Sequence, residues 1–250
     1  MAASETIYTF SVSVPDFIER ARTKVLKMPA YRDGAIAAPA SGTFTLKDSS
    51  GTVYVSASAV TVSGGVAQYS LAAATIPSTV ALGNGWIEEW ALVMPDGTTR
   101  TPRRMAAISL KELFPTVSLG DARALHSTID QVLADTDSTG QAKLDFAWGA
   151  VYRRIVSAGH KPYLILNAEA LHEPLLYLWL HLIFNDAKTS MGDGTYKEHA
   201  ADYKLAYEDA WKVLQLTYDT EEDGRPTGDD VTVAALPPVF LSAVKGYGWR

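Results

Sequence analysis

The period of the apolar residues changes near residue 108, and this change constrains the fold more than any other feature of the sequence. Over residues 40–107 apolar side chains recur at every second position, which is typical of strands with one buried face. After Ser109 they recur at the spacing of a helix, about 3.6 residues per turn. Strands followed by helices predict an α+β fold, because an interleaved α/β sheet needs the two patterns to alternate.

The strand half, residues 1–108, is predicted to form a small antiparallel β-sandwich or barrel, with an immunoglobulin-like β-sandwich as the fold expected. Turns that contain Gly separate its segments, and Asp96-Gly97 lies between two strand patterns, which is a strong hairpin signal. Trp86 and Trp90 share one side of a predicted strand and are expected in the core. The clearest predicted strands cover residues 24–31, 43–48, 52–57, 66–72, 86–94 and 99–109.

The second half is predicted to form a four-helix-type bundle within residues 109–224. Ser118 directly precedes the first helix, and Asp121 lies three residues after Ser118. This spacing is the pattern of a capping box. Residues 175–184 are apolar on all sides, so the helix that contains them is predicted to be central and buried. The predicted helices cover residues 119–133, 141–158, 169–187 and 196–218.

Residues 225–250 are predicted to form an extended C-terminal arm. From residue 231 the sequence is apolar and aromatic and follows neither period, so this segment has no core of its own to fold around. Two interpretations remain open: the arm packs on its own domain, or it packs on another chain, as extended arms do in assemblies. The residues expected to contact a partner are Leu236, Phe240, Leu241, Tyr247, Trp249 and Arg250.

The composition excludes several classes of protein. The 250 residues include no Cys, which removes disulfides, Cys-ligated metal sites and Cys nucleophiles. The formal net charge of -6 argues against a general binder of phosphate backbones, which needs clustered Lys and Arg. No basic segment precedes an apolar run near Met1, so no secretory signal is expected. The longest apolar run is short of the ~20 residues that cross a bilayer, and no membrane partner is expected.

No catalytic motif is found, so the chain is predicted to be no enzyme and to carry no cofactor. His172-Glu173 begins like a zinc-protease motif, but Leu176 stands where the second His belongs. His181 in the apolar helix is predicted to be a core histidine with a hydrogen-bond partner. An enzyme built around His172 or His181 has the least support of the functions considered.

Two acidic loops, at residues 135–140 and 219–224, share part of the pattern of calcium-binding loops. Where such a loop has its bidentate Glu, the first has Phe146 and the second has Asp230. Helix capping is the competing interpretation of both loops. The weak candidate ligands, all in the second loop, are Asp219, Glu221 and Asp223.

Arginines cluster at two places in the sequence. Arg100, Arg103 and Arg104 lie in a strand pattern, and Arg153 and Arg154 lie in a helical one. They are interpreted as solvated faces, with contact to an acidic partner or a passing phosphate backbone as the alternative.

The helical half resembles the head-to-tail connector or adaptor proteins of tailed bacteriophages and gene transfer agents. The resemblance rests on the order of the helices and on a stripe of Tyr203, Tyr207 and Trp211 that leads into an Asp-rich stretch. The strand half is similar to the β domain that some of these adaptors carry, and together the halves cover most of the chain. The residues that carry this second similarity are 31–34, Gly51, Trp86, Trp90, Asp96 and Gly97.

The resemblance implies a structural protein of the virion neck, the head-tail interface, which assembles in the host cytoplasm. Such adaptors form a homo-oligomeric ring, commonly a dodecamer, beneath the portal protein. The ring links the capsid vertex to a tail, stopper or tail-terminator protein, and DNA passes through its channel without specific binding. C-terminal extensions of the family commonly insert into the portal, which implies that role for the arm.

A second class of function remains open from the residues alone. A virion or surface binding module would use the β-sandwich to recognise a carbohydrate or a receptor, with the helices as a trimerisation or docking unit. Binding of a glycan distinguishes the binding module from the adaptor, because an adaptor is expected to bind no glycan.

Overall fold

The computed structural model describes residues 7–10, 14–33, 35–133, 140–191, 194–219, 221 and 231–234. These residues divide into two compact units, which we call the strand unit and the helical unit. The strand unit takes in the described parts of Met1–Phe114, Lys161–Ala168 and Tyr218–Asp230. The helical unit takes in those of Pro115–His160, Glu169–Thr217 and Val231–Arg250.

The strands of the first unit follow the alternation of apolar residues. In chain order they are β1 (Thr9–Phe10), β2 (Asp16–Glu19), β3 (Lys24–Met28), β4 (Ala30–Arg32), β5 (Ala35–Ile36), β6 (Ser41–Lys47), β7 (Val53–Ala59), β8 (Thr61–Ser63), β9 (Val66–Leu71), β10 (Gly83–Val93), β11 (Thr99–Arg100) and β12 (Arg103–Ser109). In β10 the side chains of Trp86, Glu88, Trp90 and Leu92 are buried, and the residues between them are half-buried. The predicted core positions of Trp86 and Trp90 are confirmed.

The main sheet of the strand unit has the order β2-β12-β10-β6-β7, with β11 paired to β10. Its strands are antiparallel except for β2, which runs parallel to β12 with Asp16 opposite Ala106. A second sheet has the order β3-β9-β8, and a third has the order β1-β4-β5. Leu26 from the second sheet and Phe44 and Trp90 from the main sheet belong to one cluster of buried side chains. The two larger sheets therefore share a single core.

The mixed α+β character of the chain, with antiparallel strands before helices, is confirmed. The predicted strand over residues 99–109 is wrong in one respect, because it breaks at Pro102 into β11 and β12. Pro has no N–H for a strand ladder, and the Pro102 carbonyl instead accepts a hydrogen bond of 3.0 Å from the N–H of Trp90. Pro29 separates β3 from β4, so the predicted strand over residues 24–31 is also two strands.

The hairpin predicted at Asp96-Gly97 joins β10 to β11. Gly97 has a φ of 79°, in the left-handed region that glycine adopts without strain. Asp96 Oδ1 accepts hydrogen bonds from the N–H and the hydroxyl of Thr98, at 3.0 and 2.7 Å. The structure thus closes this turn with the two residues that predicted it.

Helices dominate the second unit. In chain order they are α1 (Leu119–Leu125), α2 (Ile129–Leu133), α3 (Gln141–Ser157), α4 (His172–Met191) and α5 (Gly194–Val213). The predicted capping box at Ser118 and Asp121 is present at the start of α1. α4 packs against α1, α2, α3 and α5, which confirms its predicted central place. Among the described residues, no helix combines the length and the apolarity that crossing a membrane requires.

Two predicted helix boundaries are wrong. The helix predicted over residues 119–133 is two helices, because His126 takes an extended conformation (φ -141°, ψ 94°) at the end of α1. The helix predicted to reach Tyr218 ends at Val213. Leu214, Leu216 and Tyr218 are buried in alternation, so the segment Gln215–Tyr218 forms a strand, β13.

The predicted C-terminal arm is described over four residues only. Val231–Ala234 form β14, which pairs with β13. The expectation that this sequence has no strand period is therefore wrong at its start, where the β-branched residues of Val-Thr-Val favour a strand. The residues of the arm that were expected to contact a partner lie outside the described part of the chain.

Candidate functional site

A network of ion pairs in the strand unit is its most concentrated group of charges. Glu88 on β10 is fully buried and lies opposite Arg104 on β12 in the strand register. Arg104 donates two hydrogen bonds to Glu88 Oε2, from Nε at 3.1 Å and from Nη2 at 2.7 Å. The indole Nε1 of Trp90 donates a third to the same oxygen, at 3.1 Å. Because side chains alternate along β10, the face that buries Trp90 also buries the Glu88 carboxylate. A buried carboxylate needs hydrogen-bond donors, and Arg104 and Trp90 supply them.

The network continues to the edge strand of the sheet. Arg104 Nη2 lies 2.9 Å from Asp16 Oδ2 on β2, and Asp16 also pairs with Lys24 on β3. Lys24 donates to the carbonyl of Phe17 at 2.6 Å and pairs with Glu112 at 2.9 Å. The role of this network is structural, because its two cations, Arg104 and Lys24, join β2, β3 and β12 to one another.

The Glu88 carboxyl has its pKa raised by burial, an effect that the Arg104 guanidinium opposes. Its Oε1 has no hydrogen-bond partner among the described residues, whereas Oε2 accepts three hydrogen bonds. A carboxyl in this environment costs free energy whenever it is charged without its cation. Arg104 is therefore the residue on which the stability of this part of the sheet depends.

A shallow groove of about 340 Å³ lies on the opposite face of the main sheet. Thr43, Thr45 and Glu89 are among its lining residues. Glu89 pairs with Lys47 at 2.6 Å and with Arg103 at 2.9 Å, and the hydrogen bond from Lys47 lowers the pKa of Glu89. The charges of this groove are thus neutralised within the chain.

A smaller pocket of about 170 Å³ lies elsewhere in the strand unit. It is lined by Asp48, Tyr54, Asn84 and Trp86, among others, and the rings of Tyr54 and Trp86 lie 4.6 Å apart. Asp48 already accepts hydrogen bonds from Ser50, whose hydroxyl lowers the pKa of that carboxyl. Trp86 is 5% exposed, so it offers little ring surface for stacking on a sugar.

The arginine clusters do not form uniform solvated faces. Arg104 belongs to the buried network, and Arg154 on α3 pairs with Glu208 on α5 at 2.9 Å. The guanidinium of Arg154 also lies over two rings, with its Cζ 4.4 Å from the centroid of Trp211 and 5.0 Å from that of Tyr207. The interpretation as solvated faces is wrong for these two residues, because neighbouring side chains point to different sides of a strand or helix.

The histidines of α4 are held by backbone carbonyls within the helical unit. His181 Nδ1 lies 2.8 Å from the carbonyl oxygen of Ala200, and His172 Nδ1 lies 3.0 Å from that of Thr116. The predicted hydrogen-bond partner of His181 is confirmed, although its side chain is half-buried rather than fully buried. Both imidazoles therefore have a structural use, joining α4 to its neighbours.

Aromatic rings surround Phe184 of α4 on the side of α1 and α5. His126 lies 4.7 Å from the Phe184 ring centroid, His199 5.3 Å and Tyr203 5.5 Å. His126 and His199 also contact each other, with ring centroids 5.0 Å apart. Burial lowers the pKa of His126, and the charge of His199 lowers it further. Sequence spacing could not find this group, because its members come from three helices.

The structure describes two of the three weak cation candidates. Asp219 is buried, and its N–H donates a hydrogen bond of 3.0 Å to the carbonyl of Leu164. Glu221 is exposed, and Asp223 lies outside the described residues. Within the described ranges, no three His, Asp or Glu side chains are grouped so that they could hold a metal ion together.

Among the described residues, the most exposed large apolar side chains of the helical unit lie on α3 and α5. Phe146 on α3 is 61% exposed, and the guanidinium of Arg153 lies 6.0 Å from its ring centroid. Leu205 and Val213 on α5 are 62% and 73% exposed. Single exposed apolar side chains are common on protein surfaces, and a contiguous patch of them is what marks contact with another protein.

Known proteins show little similarity to this chain. No known family model and no curated protein matches the sequence. Among solved structures, the crystal structure of CopC from Methylosinus trichosporium OB3b is similar at 14% sequence identity and a TM-score of 0.27. The similarity covers 38% of this chain and 82% of that chain. A likeness this low assigns neither a fold nor a function.

Proposed function

We propose that this protein is a structural head-tail adaptor of a phage-like particle and has no enzymatic role. Copies of the chain form a ring, a dodecamer in the commonest case, between the portal protein and a tail, stopper or tail-terminator protein. In this proposal the strand unit is an immunoglobulin-like sandwich, and the helical unit is a four-helix-type bundle in which α1 and α2 together supply one member. The protein resides in the neck of the virion.

The observation that carries the proposal is the exposed apolar surface on two different helices. A ring is built from heterologous contacts, in which one patch of a subunit meets a different patch of its neighbour. In the proposed ring, Phe146 on α3 lies on one side of the contact, and Leu205 and Val213 on α5 lie on the other. Burying large apolar side chains between copies stabilises such a contact.

The charge distribution supports a channel that DNA passes without being held. The formal net charge is -6, and nucleic-acid affinity depends on free Lys and Arg. Arg104 and Arg154 are engaged within the chain by Glu88 and Glu208. They are therefore not offered to a phosphate backbone.

The test is the oligomeric state of the purified full-length chain, alone and with its portal protein. Negative-stain images and native mass spectrometry are expected to show a ring of many copies. Phe146→Ser combined with Leu205→Ser is expected to shift the population to monomers, while Val53→Ser, at an exposed apolar residue of the strand unit, leaves the ring intact. A chain that stays monomeric at high concentration and also on the portal overturns the proposal.

The C-terminal arm is tested separately. Deleting residues 236–250 removes Leu236, Phe240, Leu241, Tyr247, Trp249 and Arg250. The shortened chain is expected to fold and no longer to join portal complexes. Normal assembly of the shortened chain contradicts the role of the arm, without affecting the proposal of a ring.

The alternative function, recognition of a carbohydrate or a receptor by the strand unit, is favoured by one observation. The pocket of about 170 Å³ places Asp48 and Asn84, side chains that can bind hydroxyl groups, beside the half-buried ring of Tyr54. A glycan screen with the full chain separates the functions. Binding that is lost in Asp48→Ala supports the alternative, and an adaptor is expected to show no binding.

A further inference from the structure

Two histidines that are distant in the sequence face each other in the helical unit. His126 follows the last residue of α1, and His199 lies in the second turn of α5. Their ring centroids are 5.0 Å apart and their planes meet at 71°. Both side chains are half-buried, and both pack against the buried ring of Phe184.

These two imidazoles differ from the histidines of α4 in their hydrogen bonding. His172 and His181 each meet a carbonyl oxygen, at 3.0 and 2.8 Å. Within the described part of the chain, the imidazoles of His126 and His199 have ring contacts and no side-chain hydrogen bond or ion pair. Among the described residues, their ring nitrogens are not counted with the buried polar atoms that lack a partner, so they are accessible to solvent or to an ion.

The separation of the rings is one at which a single metal ion can reach both imidazoles. A tetrahedral ion binds imidazole nitrogen at about 2.0–2.1 Å, and two imidazoles on one such ion have centroids roughly 5 Å apart. The observed 5.0 Å agrees with this distance.

We propose that His126 and His199 form a two-histidine site for a divalent transition-metal ion of the zinc class, with water molecules as the remaining ligands. Imidazole nitrogen suits zinc, nickel and copper, whereas magnesium and calcium prefer oxygen ligands. The ion joins the end of α1 to α5, two elements that contact each other through ring edges. Because the ion binds the folded chain, it stabilises that chain in proportion to its concentration.

The test uses the full-length chain without an affinity tag, freed of metal by a chelator and titrated with Zn²⁺. Calorimetry is expected to show one ion per chain, and the melting temperature is expected to rise with Zn²⁺ but not with Mg²⁺. His126→Asn and His199→Asn are each expected to weaken binding at least tenfold. His160→Asn removes a different imidazole of the helical unit and is expected to leave binding unchanged.

A second measurement covers the case in which a variant fails to fold. In the wild-type chain labelled with ¹⁵N-histidine, Zn²⁺ is expected to shift the imidazole nitrogens of two of the five histidines. A Zn²⁺ response no larger than that with Mg²⁺ overturns the proposal. So does binding that survives both single substitutions, or a shift of His160, His172 or His181 in place of the pair.

Discussion

Glu88 and Arg104 face each other across β10 and β12, and both hydrogen bonds between them converge on a single oxygen of the carboxylate. The carboxylate is fully buried, and the guanidinium side chain is 12% exposed. Such a pair contributes little net stability when both partners are present, because desolvation offsets the attraction. Removing one partner is costly, because the other charge is left buried and uncompensated. Arg104 also pairs with Asp16, so it compensates two carboxylates.

Arg104→Met is therefore expected to destabilise the chain by about 3–5 kcal/mol in urea unfolding. The matched control is Arg103→Met on the neighbouring, outward-facing position, where the side chain is 72% exposed and pairs with Glu89. An exposed ion pair contributes at most about 1 kcal/mol, so this variant is expected to lose no more than that. Equal losses in the two variants would contradict the description of the buried network.

The loss in Arg104→Met is also expected to depend on pH. Burial raises the folded-state pKa of Glu88 above its unfolded value, and removing Arg104 raises it further. A carboxyl with a raised pKa binds its proton more tightly in the folded chain, so folding stability falls as pH rises above the unfolded pKa. The variant is expected to be closer to wild type at pH 4 than at pH 8. Urea midpoints at the two values check this, and a pH-independent difference argues against Glu88 as the cause.

The capping box of α1 makes a separate prediction. Asp121 Oδ2 accepts hydrogen bonds from the N–H and the hydroxyl of Ser118, both at 2.7 Å, and the hydroxyl is the main cause of the lowered pKa of Asp121. Asp121→Ala is expected to cost about 1 kcal/mol at pH 7. Because the folded pKa is depressed, this contribution is present above the unfolded pKa of ~3.9 and is lost as pH falls through the folded value.

Urea unfolding at pH 7 and at pH 3 measures the contribution of the capping box. Asp202→Ala, at an exposed position of α5, controls for the loss of one negative charge. It is expected to change the unfolding free energy by less than about 0.5 kcal/mol. If Asp121→Ala behaves like this control at pH 7, the capping box does not stabilise α1.

The features predicted well from the sequence are those with local causes. The hairpin at Asp96-Gly97, the capping box at Ser118 and the apolar run of α4 each depend on residues that are close together in the sequence. β2 was not predicted, because its four residues pair in parallel with β12, which lies far along the chain. The strand β13 has a local signal in the alternation from Leu214 to Tyr218, but the helical pattern before it conceals that signal.

The candidate sites were less accessible to sequence reasoning. Alternation along β10 places Glu88 on the same side as Trp86 and Trp90, so its burial has a local signal. Its partner does not, since Arg104 is identified only by the strand register. His126 and His199 meet only because α1 and α5 both pack on α4. A contact between two helices that arises because both pack on a third helix cannot be predicted from the residue spacing within either of them.

Gly42 on β6 tests how closely the strands of the main sheet approach. It lies opposite Leu92 of β10, and a Cβ at this position would meet Leu92 Cδ2 at 2.6 Å and the carbonyl oxygen of Ala91 at 2.7 Å. The backbone oxygen cannot move aside without disturbing the hydrogen bonds between β6 and β10, so Gly42→Ala is expected to destabilise the chain by about 1–3 kcal/mol.

Gly120→Ala is the matched control, because the nearest atom there, Ser118 Oγ, is 3.4 Å away. Alanine in the first turn of α1 is expected to stabilise by about 0.5–1 kcal/mol. Thermal and urea unfolding of the two variants measure the opposite signs, and a Gly42→Ala chain as stable as wild type contradicts the close approach of β6 and β10.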